Sequence, residues 1–292
     1  MNKHIAANKR NTILIMAGFI AFVALIGTIV AYAVNDWRIA IGILVIAAVY
    51  TAIQYLLASK LAVAMTGAKE ISRADNPKLY NTVEKVASMA NVPMPKVYLI
   101  HDSAPNAFAT GRDPNHSLIA VTTGLIDIMS NNELTAVVGH EMSHIKNYDI
   151  RISMITFGLV CMIGVISDLG FRMLFYGNRR SRGERSPVGI VLILVTSILA
   201  PIAASIAQLA ISREREYLAD ASSARITHYP DGMISALKKL DTHARPMKQQ
   251  NIATEALFIN NPLRKGKLSN LFSTHPPIEK RIERLEHGKT QV

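Results

Sequence analysis

Two long uncharged segments near the N-terminus constrain this chain more than any other feature. Residues 12–34 and 39–58 contain no charged side chain, and each segment is long enough to cross a bilayer as a helix. A short polar link, 35–38, separates them, so they predict a transmembrane hairpin that occupies residues 1–58. A cleaved signal peptide explains the first segment poorly, because that segment is too long and a second span follows almost at once.

The charges around this hairpin predict its orientation. Lys3, Lys9 and Arg10 precede the first span without any acidic residue, whereas the link is nearly neutral. Basic residues stay on the cytoplasmic side, so both ends of the hairpin are expected in the cytoplasm. The whole chain carries a net charge of +11, which beside apolar spans indicates a basic face on an anionic lipid bilayer, with no nucleic acid as partner.

From residue 59 to 292 the composition predicts a mostly helical domain with a small β-sheet. Strands are expected at 96–100, 107–110 and 118–122, the last two joined by a turn-rich stretch. Ser130 and Glu133 form a capping box that opens a helix continuing past Asn147. Further helices are predicted over residues 77–91, 230–243, 253–260 and 277–287.

Two more apolar segments, about 153–175 and 188–211, interrupt this domain. If residue 60 is cytoplasmic and both segments span fully, the arginine-rich loop at 179–185 would lie outside, against the charge rule. The segments are therefore expected to be membrane-embedded without being simple spans.

A metal-binding pattern stands inside the helix that Ser130 opens. His140 and His144 share one helix face at positions i and i+4, so both imidazoles can reach one zinc ion. Glu141 is rotated about 100° from His140, so it can act on a water molecule without binding the metal. Random placement of the histidines and glutamates would produce about 0.01 such motifs per chain of this composition, so a chance match is rare.

A catalytic zinc site requires a third protein ligand, and candidates lie in the segment 212–220. Glu216 and Asp220 are also at i and i+4, so one can bind the metal while the other holds a ring N–H of a histidine. Glu214 lies about 200° round the helix from Glu216. The alternative is a solvent-facing cluster in which Arg213 and Arg215 pair these carboxylates.

The sequence here resembles the membrane gluzincins of the HtpX heat-shock protease family. The resemblance covers essentially the whole chain, and the stretches that carry it are HEMSHIKNYD at 140–149, SREREYLAD at 212–220, PNAFATGRDPNHSLIAVTTGL at 105–125 and STHPPIEKRIERL at 273–285. It implies a gluzincin-like catalytic domain with one Zn²⁺ per chain, Glu216 as third ligand and Asp220 as the partner of a ligand histidine.

Other side chains receive roles from the same resemblance. Asn106, Ala107, Phe108 and Ala109 are implied to form an edge strand beside the active site, and an edge can hold an extended substrate through its backbone. An ordinary core strand is the alternative. His275 is a candidate oxyanion stabiliser or simply a helix-entry residue.

Asp149 is expected to end the metal-binding helix or to make a buried contact, outside the site. The histidines without a spacing partner are expected at the surface: His101, His116, His228, His243 and His287.

The combined expectation is a multi-pass zinc endopeptidase of a bacterial cell membrane, with its active site at the cytoplasmic membrane surface. Glu141 serves as general base and acid. The resemblance implies quality control under stress, with unfolded or misfolded membrane proteins as substrates. Two alternatives remain: a gluzincin that processes one specific peptide or lipidated terminus, and a non-enzymatic scaffold with a degenerate metal site.

Overall fold

The computed structural model describes residues 2–176, 213–249, 254, 257–260 and 276–289. These residues form nine helices, α1 to α9: Asn2–Val34, Trp37–Thr66, Pro77–Ala90, Thr123–Ile128, Asn131–Lys146, Asp149–Tyr176, Arg213–Thr227, Pro230–Thr242 and Ile278–Lys289. They also form four strands, β1 to β4: Lys69–Glu70, Lys96–Ile100, Ala107–Asp113 and His116–Thr122. The prediction of a mostly helical chain with one small sheet is confirmed.

Helices α1 and α2 form the N-terminal hairpin. Asp36 caps α2 by accepting a hydrogen bond from the Arg38 N–H, and Gly67 ends α2 in the left-handed conformation. Two stretches, Ile5–Leu25 and Ala40–Thr66, are long and apolar enough to cross a membrane. Large apolar side chains cover the outside of this hairpin, and such a surface needs lipid around it. The chain is a membrane protein.

The hairpin packs tightly on α6. A Cβ atom built on Gly158 would overlap the side-chain amide of Gln54, so α2 and α6 can approach this closely because residue 158 is glycine. Gln54 donates to the Met154 carbonyl at 3.0 Å, and the Tyr50 hydroxyl donates to the Gly158 carbonyl at 2.9 Å. The hairpin is therefore part of the packed fold.

The sheet has the strand order β1-β2-β4-β3, with β2 and β4 parallel and the other pairs antiparallel. Alternate residues of each strand face opposite sides. Ala107 and Ala109 join the core formed with α3 and α5, whereas Phe108 joins the core formed with the hairpin and α6. The sheet thus lies between the metal-site helix α5 and the membrane helices.

The predicted capping box at the start of α5 is confirmed. The Ser130 hydroxyl accepts from the Glu133 N–H, and the Glu133 carboxylate accepts from the Ser130 N–H at 2.7 Å. Lys239 of α8 donates to the same carboxylate at 2.7 Å, so the first turn of α5 is fixed from two sides.

The prediction that this helix continues past Asn147 is wrong. Helix α5 ends at Lys146, Tyr148 takes a left-handed backbone conformation with φ 62°, and a new helix begins at Asp149. Asp149 thus stands in the first turn of α6, where a negative charge is favourable, and does not end α5.

Other boundaries also differ from the expectation. The hairpin turn is shorter than predicted, because β3 runs on to Asp113 and β4 already begins at His116. Leu257–Asn260 do not continue a helix: Phe258 pairs with β3 instead, since the sheet edge takes up the backbone there. The segment 153–175 lies within α6, and the segment 188–211 lies outside the described residues.

Candidate metal centre

The two predicted histidines on α5 point at one spot. Their Nε2 atoms are 3.1 Å apart, and the two rings stand nearly perpendicular at 86°. His140 is fully buried, and the side chain of His144 is 15% exposed. The spot therefore lies at the edge of the core, open on the side of His144.

Helix α7 brings the predicted carboxylates to this spot because it crosses α5 at very short distance. The crossing is at Gly139, where an added Cβ atom would lie 2.8 Å from Oγ of Ser223. Ser223 donates to the Ala136 carbonyl at 2.6 Å. Glu216, Asp220 and Ser223 follow each other at helical spacing, so they face α5 together.

Glu216 completes a group of three ligand atoms. Its carboxylate oxygens lie 3.7 Å from Nε2 of His140 and 3.5 Å from Nε2 of His144. One donor atom from each residue lies within 4.8 Å of the others. Zinc bonds of 2.0–2.1 Å in a tetrahedron would separate the donors by about 3.4 Å, so the group fits such an ion.

His140 is oriented by Asp220, which is held in turn by Arg281 of the C-terminal helix α9. Its Nδ1 donates to Asp220 at 2.9 Å, and Arg281 donates to both Asp220 oxygens, from Nε at 2.8 Å and from Nη2 at 2.7 Å. Burial alone would raise the pKa of Asp220, but the charge and hydrogen bonds of Arg281 hold it below its usual range. Asp220 therefore stays ionised and leaves Nε2 of His140 free to bind a metal.

His144 is oriented in the same way by Asp149, which sequence reasoning placed outside the site. Nδ1 of His144 lies 3.0 Å from Oδ2 of Asp149. Burial alone would lower the pKa of His144, but the bond to Asp149 and the charge of Glu216 raise it to about 9. The two histidines thus share one arrangement, with Nδ1 on a carboxylate and Nε2 toward the common spot.

The surrounding charges favour a divalent cation. Glu141 is buried beside the ligands, and its negative charge acts on both His144 and Arg281. The centre contains the four carboxylates of Glu141, Asp149, Glu216 and Asp220 and the guanidinium groups of Arg215 and Arg281. With His140 and His144 neutral, as metal ligands must be, these charges leave an excess of two negative charges, which one divalent ion neutralises.

The predicted edge strand is the terminal strand of the sheet, yet part of its outer edge is covered. The Ile259 N–H donates to the Ala107 carbonyl at 2.9 Å, and the rings of Phe108 and Phe258 meet edge to face at 5.0 Å. Asn106 donates to the Asn260 carbonyl at 2.9 Å. We call residues 257–260 the strap, since they pair with β3 where an extended substrate was expected.

Sequence reasoning did not assign two residues of the site, Arg281 and Asp149. A third predicted residue, His275, cannot be compared with the structure. Arg281 was missed because nothing in the local pattern of this charged helix distinguishes it from the neighbouring Arg284. Asp149 was expected to end the helix or to make a buried contact; it makes a buried contact, but its partner is His144 of the site because the chain breaks at Tyr148. His275, the predicted oxyanion stabiliser, lies outside the described residues.

Comparison with known proteins agrees with this geometry. Residues 73–289 match the family described as peptidase family M48. A protein named protease HtpX homolog from Tropheryma whipplei (strain Twist) is 49% identical over 291 residues, covering 100% of this chain and 99% of that protein. A homolog of the same name from Lactobacillus helveticus is 45% identical, with 97% of this chain and 98% of that protein covered.

A solved structure shares the fold. The crystal structure of S. mikatae Ste24p superposes with a TM-score of 0.53 at 18% identity, over 96% of this chain and 66% of that chain. At this identity the likeness concerns the fold alone. The sequence matches carry the assignment: the chain is a metalloprotease that belongs to peptidase family M48, within the group of the HtpX homologues.

Proposed function

We propose that the chain is a zinc endopeptidase that hydrolyses peptide bonds of misfolded or damaged membrane proteins at the cytoplasmic face of a bacterial cell membrane. The observation that carries this proposal is the group of His140, His144 and Glu216, whose donor atoms meet while both histidines are oriented by carboxylates. Two histidines and one glutamate with a fourth position open are the ligand set of catalytic zinc.

The residues of the chain divide the chemistry among them. Zinc, when bound, polarises the scissile carbonyl and acidifies water. Glu141 adjoins His140 in sequence but points to another side of the helix, and it is not a member of the ligand group. Its carboxylate takes the proton of the attacking water and passes that proton to the leaving amine. His275, which precedes Pro276 and Pro277 in the sequence, is proposed to stabilise the oxyanion.

The position of the centre supports a site at the membrane surface. Asn8 in the first turns of α1 donates to Asp149, so the metal centre lies at the N-terminal end of the first apolar helix. The basic residues around that end favour the cytoplasm. Apolar segments 153–175 and 188–211, embedded in the same membrane, would interrupt the protease domain 59–292 and make the chain multi-pass.

A substrate bound as an extended strand is proposed to pair with β3 at Ala107 and Ala109. The backbone groups of these two residues face the same edge, because pairing directions alternate along a strand. The strap occupies the Ala107 carbonyl, so substrate must displace the strap or bind beside it. Backbone pairing depends little on side-chain identity, which suits a protease of unfolded chains.

The strap offers a test of this binding mode. Ile259→Pro removes the N–H that bonds to Ala107, and Ile259→Ala is the matched control that keeps it. If substrate uses this edge, Ile259→Pro lowers KM several-fold with kcat nearly unchanged. An unchanged KM in a folded Ile259→Pro protein would move substrate binding away from the Ala107 edge.

The activity itself is tested in nanodiscs with an unfolded membrane protein as substrate. Glu141→Gln keeps the shape of the side chain but removes the base, so it should retain one zinc per chain and lose proteolysis. Glu216→Ala should lose metal as His140→Ala does, whereas Glu214→Ala should not. Normal zinc content in folded Glu216→Ala would assign the ligand role to another carboxylate.

The choice of substrate class is tested by mapping the cleaved bonds. Cuts at many unrelated sequences in several unfolded membrane proteins are expected. A single cut near one terminus of one peptide would favour the alternative of a dedicated processing enzyme.

A further inference from the structure

Asn8 is a buried polar side chain at the start of an otherwise apolar helix. It is 6% exposed, and its side-chain amide donates twice: to the Asn147 carbonyl at 2.9 Å and to Oδ1 of Asp149 at 2.6 Å. A buried amide is costly unless it is hydrogen-bonded, and these two bonds use both of its N–H groups. The bonds therefore fix Asn8 to the junction between α5 and α6.

Asp149 is held from both of its oxygens. Oδ1 accepts from Asn8, and Oδ2 accepts from Nδ1 of His144 at 3.0 Å. A carboxylate with one oxygen anchored has little freedom to rotate, so the anchor sets the direction of the second oxygen. The orientation of the His144 imidazole is thus linked to a residue more than 130 positions earlier in the sequence.

The same end of α1 also contacts the backbone turn that positions Asp149. Nζ of Lys9 lies 4.5 Å from the ring centroid of Tyr148, the residue with the left-handed backbone. Cζ of Arg151 lies 5.0 Å from the centroid of the same Tyr148 ring. Two consecutive residues of α1, Asn8 and Lys9, therefore contact the turn that carries Asp149.

We propose that Asn8 is a positioning residue of the metal centre, which acts by holding Asp149 so that His144 presents Nε2 to the metal. This inference rests on the proposed function, since it assumes His144 to be a ligand. It gives the first membrane helix a second role: the helix anchors the chain and also completes the support of the catalytic metal.

The test is metal affinity, measured in nanodiscs by competition with a chelator for Zn²⁺, together with the visible spectrum of Co²⁺ at the same site. All variants carry Glu141→Gln, so that activity plays no part. Asn8→Leu is expected to weaken Zn²⁺ binding several-fold, which is less than the about 10- to 100-fold expected for the loss of Asp149, the residue that contacts His144 directly. The Co²⁺ spectrum should shift in the same direction as in Asp149→Asn.

Two neighbouring residues on α1 provide matched controls. Asn11→Leu makes the same substitution at an exposed position, and Thr12→Val removes a buried hydroxyl whose bond stays within α1. Both should bind metal as the parent does. Leucine at position 8 raises the hydropathy of the helix, so membrane insertion is not impaired. Asn8→Ser, which is too short to reach Asp149, serves if the leucine variant does not fold.

The pair of variants at positions 8 and 149 separates coupling from a general loss of stability. Asn8→Leu combined with Asp149→Asn should bind metal no more weakly than Asp149→Asn alone, because both changes act through His144. Unchanged affinity and spectrum in Asn8→Leu and Asn8→Ser would overturn this inference. Unchanged zinc in His144→Ala would instead overturn the proposed function.

Discussion

The two histidines of the metal centre are held in the same orientation by arms of different chemistry. Asp220 holds His140 and is itself held by Arg281, a full charge buried at 1% exposure. Asp149 holds His144 and is held by the neutral amide of Asn8. We call these the charged arm and the neutral arm. The charged arm comes from the last helix and the neutral arm from the first.

The difference has an energetic consequence. A buried ion pair that loses one partner leaves an uncompensated charge, whereas a buried amide that is replaced by an apolar group leaves the carboxylate with its other contacts. Around Asp149 those contacts include His144 and the nearby charge of Arg215. The charged arm should therefore respond to mutation chiefly in folding, and the neutral arm chiefly in metal affinity.

The largest effect is expected from breaking the charged arm. Arg281→Met should destabilise the protein by about 3–5 kcal/mol, because Asp220 remains buried without its partner. Thermal unfolding in detergent measures this. Arg284→Met on the same helix is the control: it removes an exposed pair with Glu214 and should cost about 0–1 kcal/mol. Adding Asp220→Asn to Arg281→Met should restore part of the stability, and failure to do so would contradict the charged-arm account.

A smaller effect should follow from displacing α7, which carries Glu216 and Asp220 of the charged arm but not Asp149. Gly139→Ala places a methyl group against Ser223 and should cost about 1–3 kcal/mol. Zinc affinity should fall with it. Gly288→Ala, in open space on α9, is the control. The double variant Gly139→Ala with Ser223→Gly should regain stability; a double variant as unstable as the single one would mean that the helix crossing is not the cause.

The smallest effect is expected from titrating Glu133 in the first turn of α5. This helix carries both histidines, so the change should affect both arms equally. Burial alone would raise the pKa of Glu133, but its bonds to Lys239 and Ser235 lower the pKa to about 2. Because the folded pKa lies below the unfolded value of 4.5, the stabilisation is full above pH 4.5 and is lost as the pH falls toward 2. Because the Lys239 side chain is 37% exposed and solvent screens its charge, about 1–2 kcal/mol should disappear in this window. Urea unfolding of Glu133→Gln should lack this part of the acid dependence, and an equal slope in both proteins would refute it.

Local patterns predicted the parts of the site that are set within one helix. The capping box of Ser130 and the spacing of His140 and His144 are properties of neighbouring residues, and α5 has them as expected. Glu216 and Asp220 were predicted as a pair by the same helical repeat. Spacing alone does not say which of them meets which histidine, because that depends on how α7 crosses α5 at Gly139 and Ser223.

The supporting residues could not be predicted because they depend on contacts between distant elements. In a continuous helix Asp149 would lie about 140° round from His144, and the break at Tyr148 alone brings the two side chains together. The strap was predicted as helix because its local pattern suits a helix, while the free backbone groups of β3 favour pairing. Asn8 and Arg281 carry no signal of their own, since each acquires its role from a carboxylate more than 60 residues away.

The placement of the two arms at opposite ends of the chain sets an order in time. During synthesis the ribosome delivers Asn8 first, so the neutral arm can close as soon as α5 and α6 have formed. Arg281 follows Asp220 by 61 residues, and until Arg281 has emerged it cannot pair with Asp220. The charged arm can therefore close only after α9 has been made, so the neutral arm can form first and the support of His140 comes after that of His144.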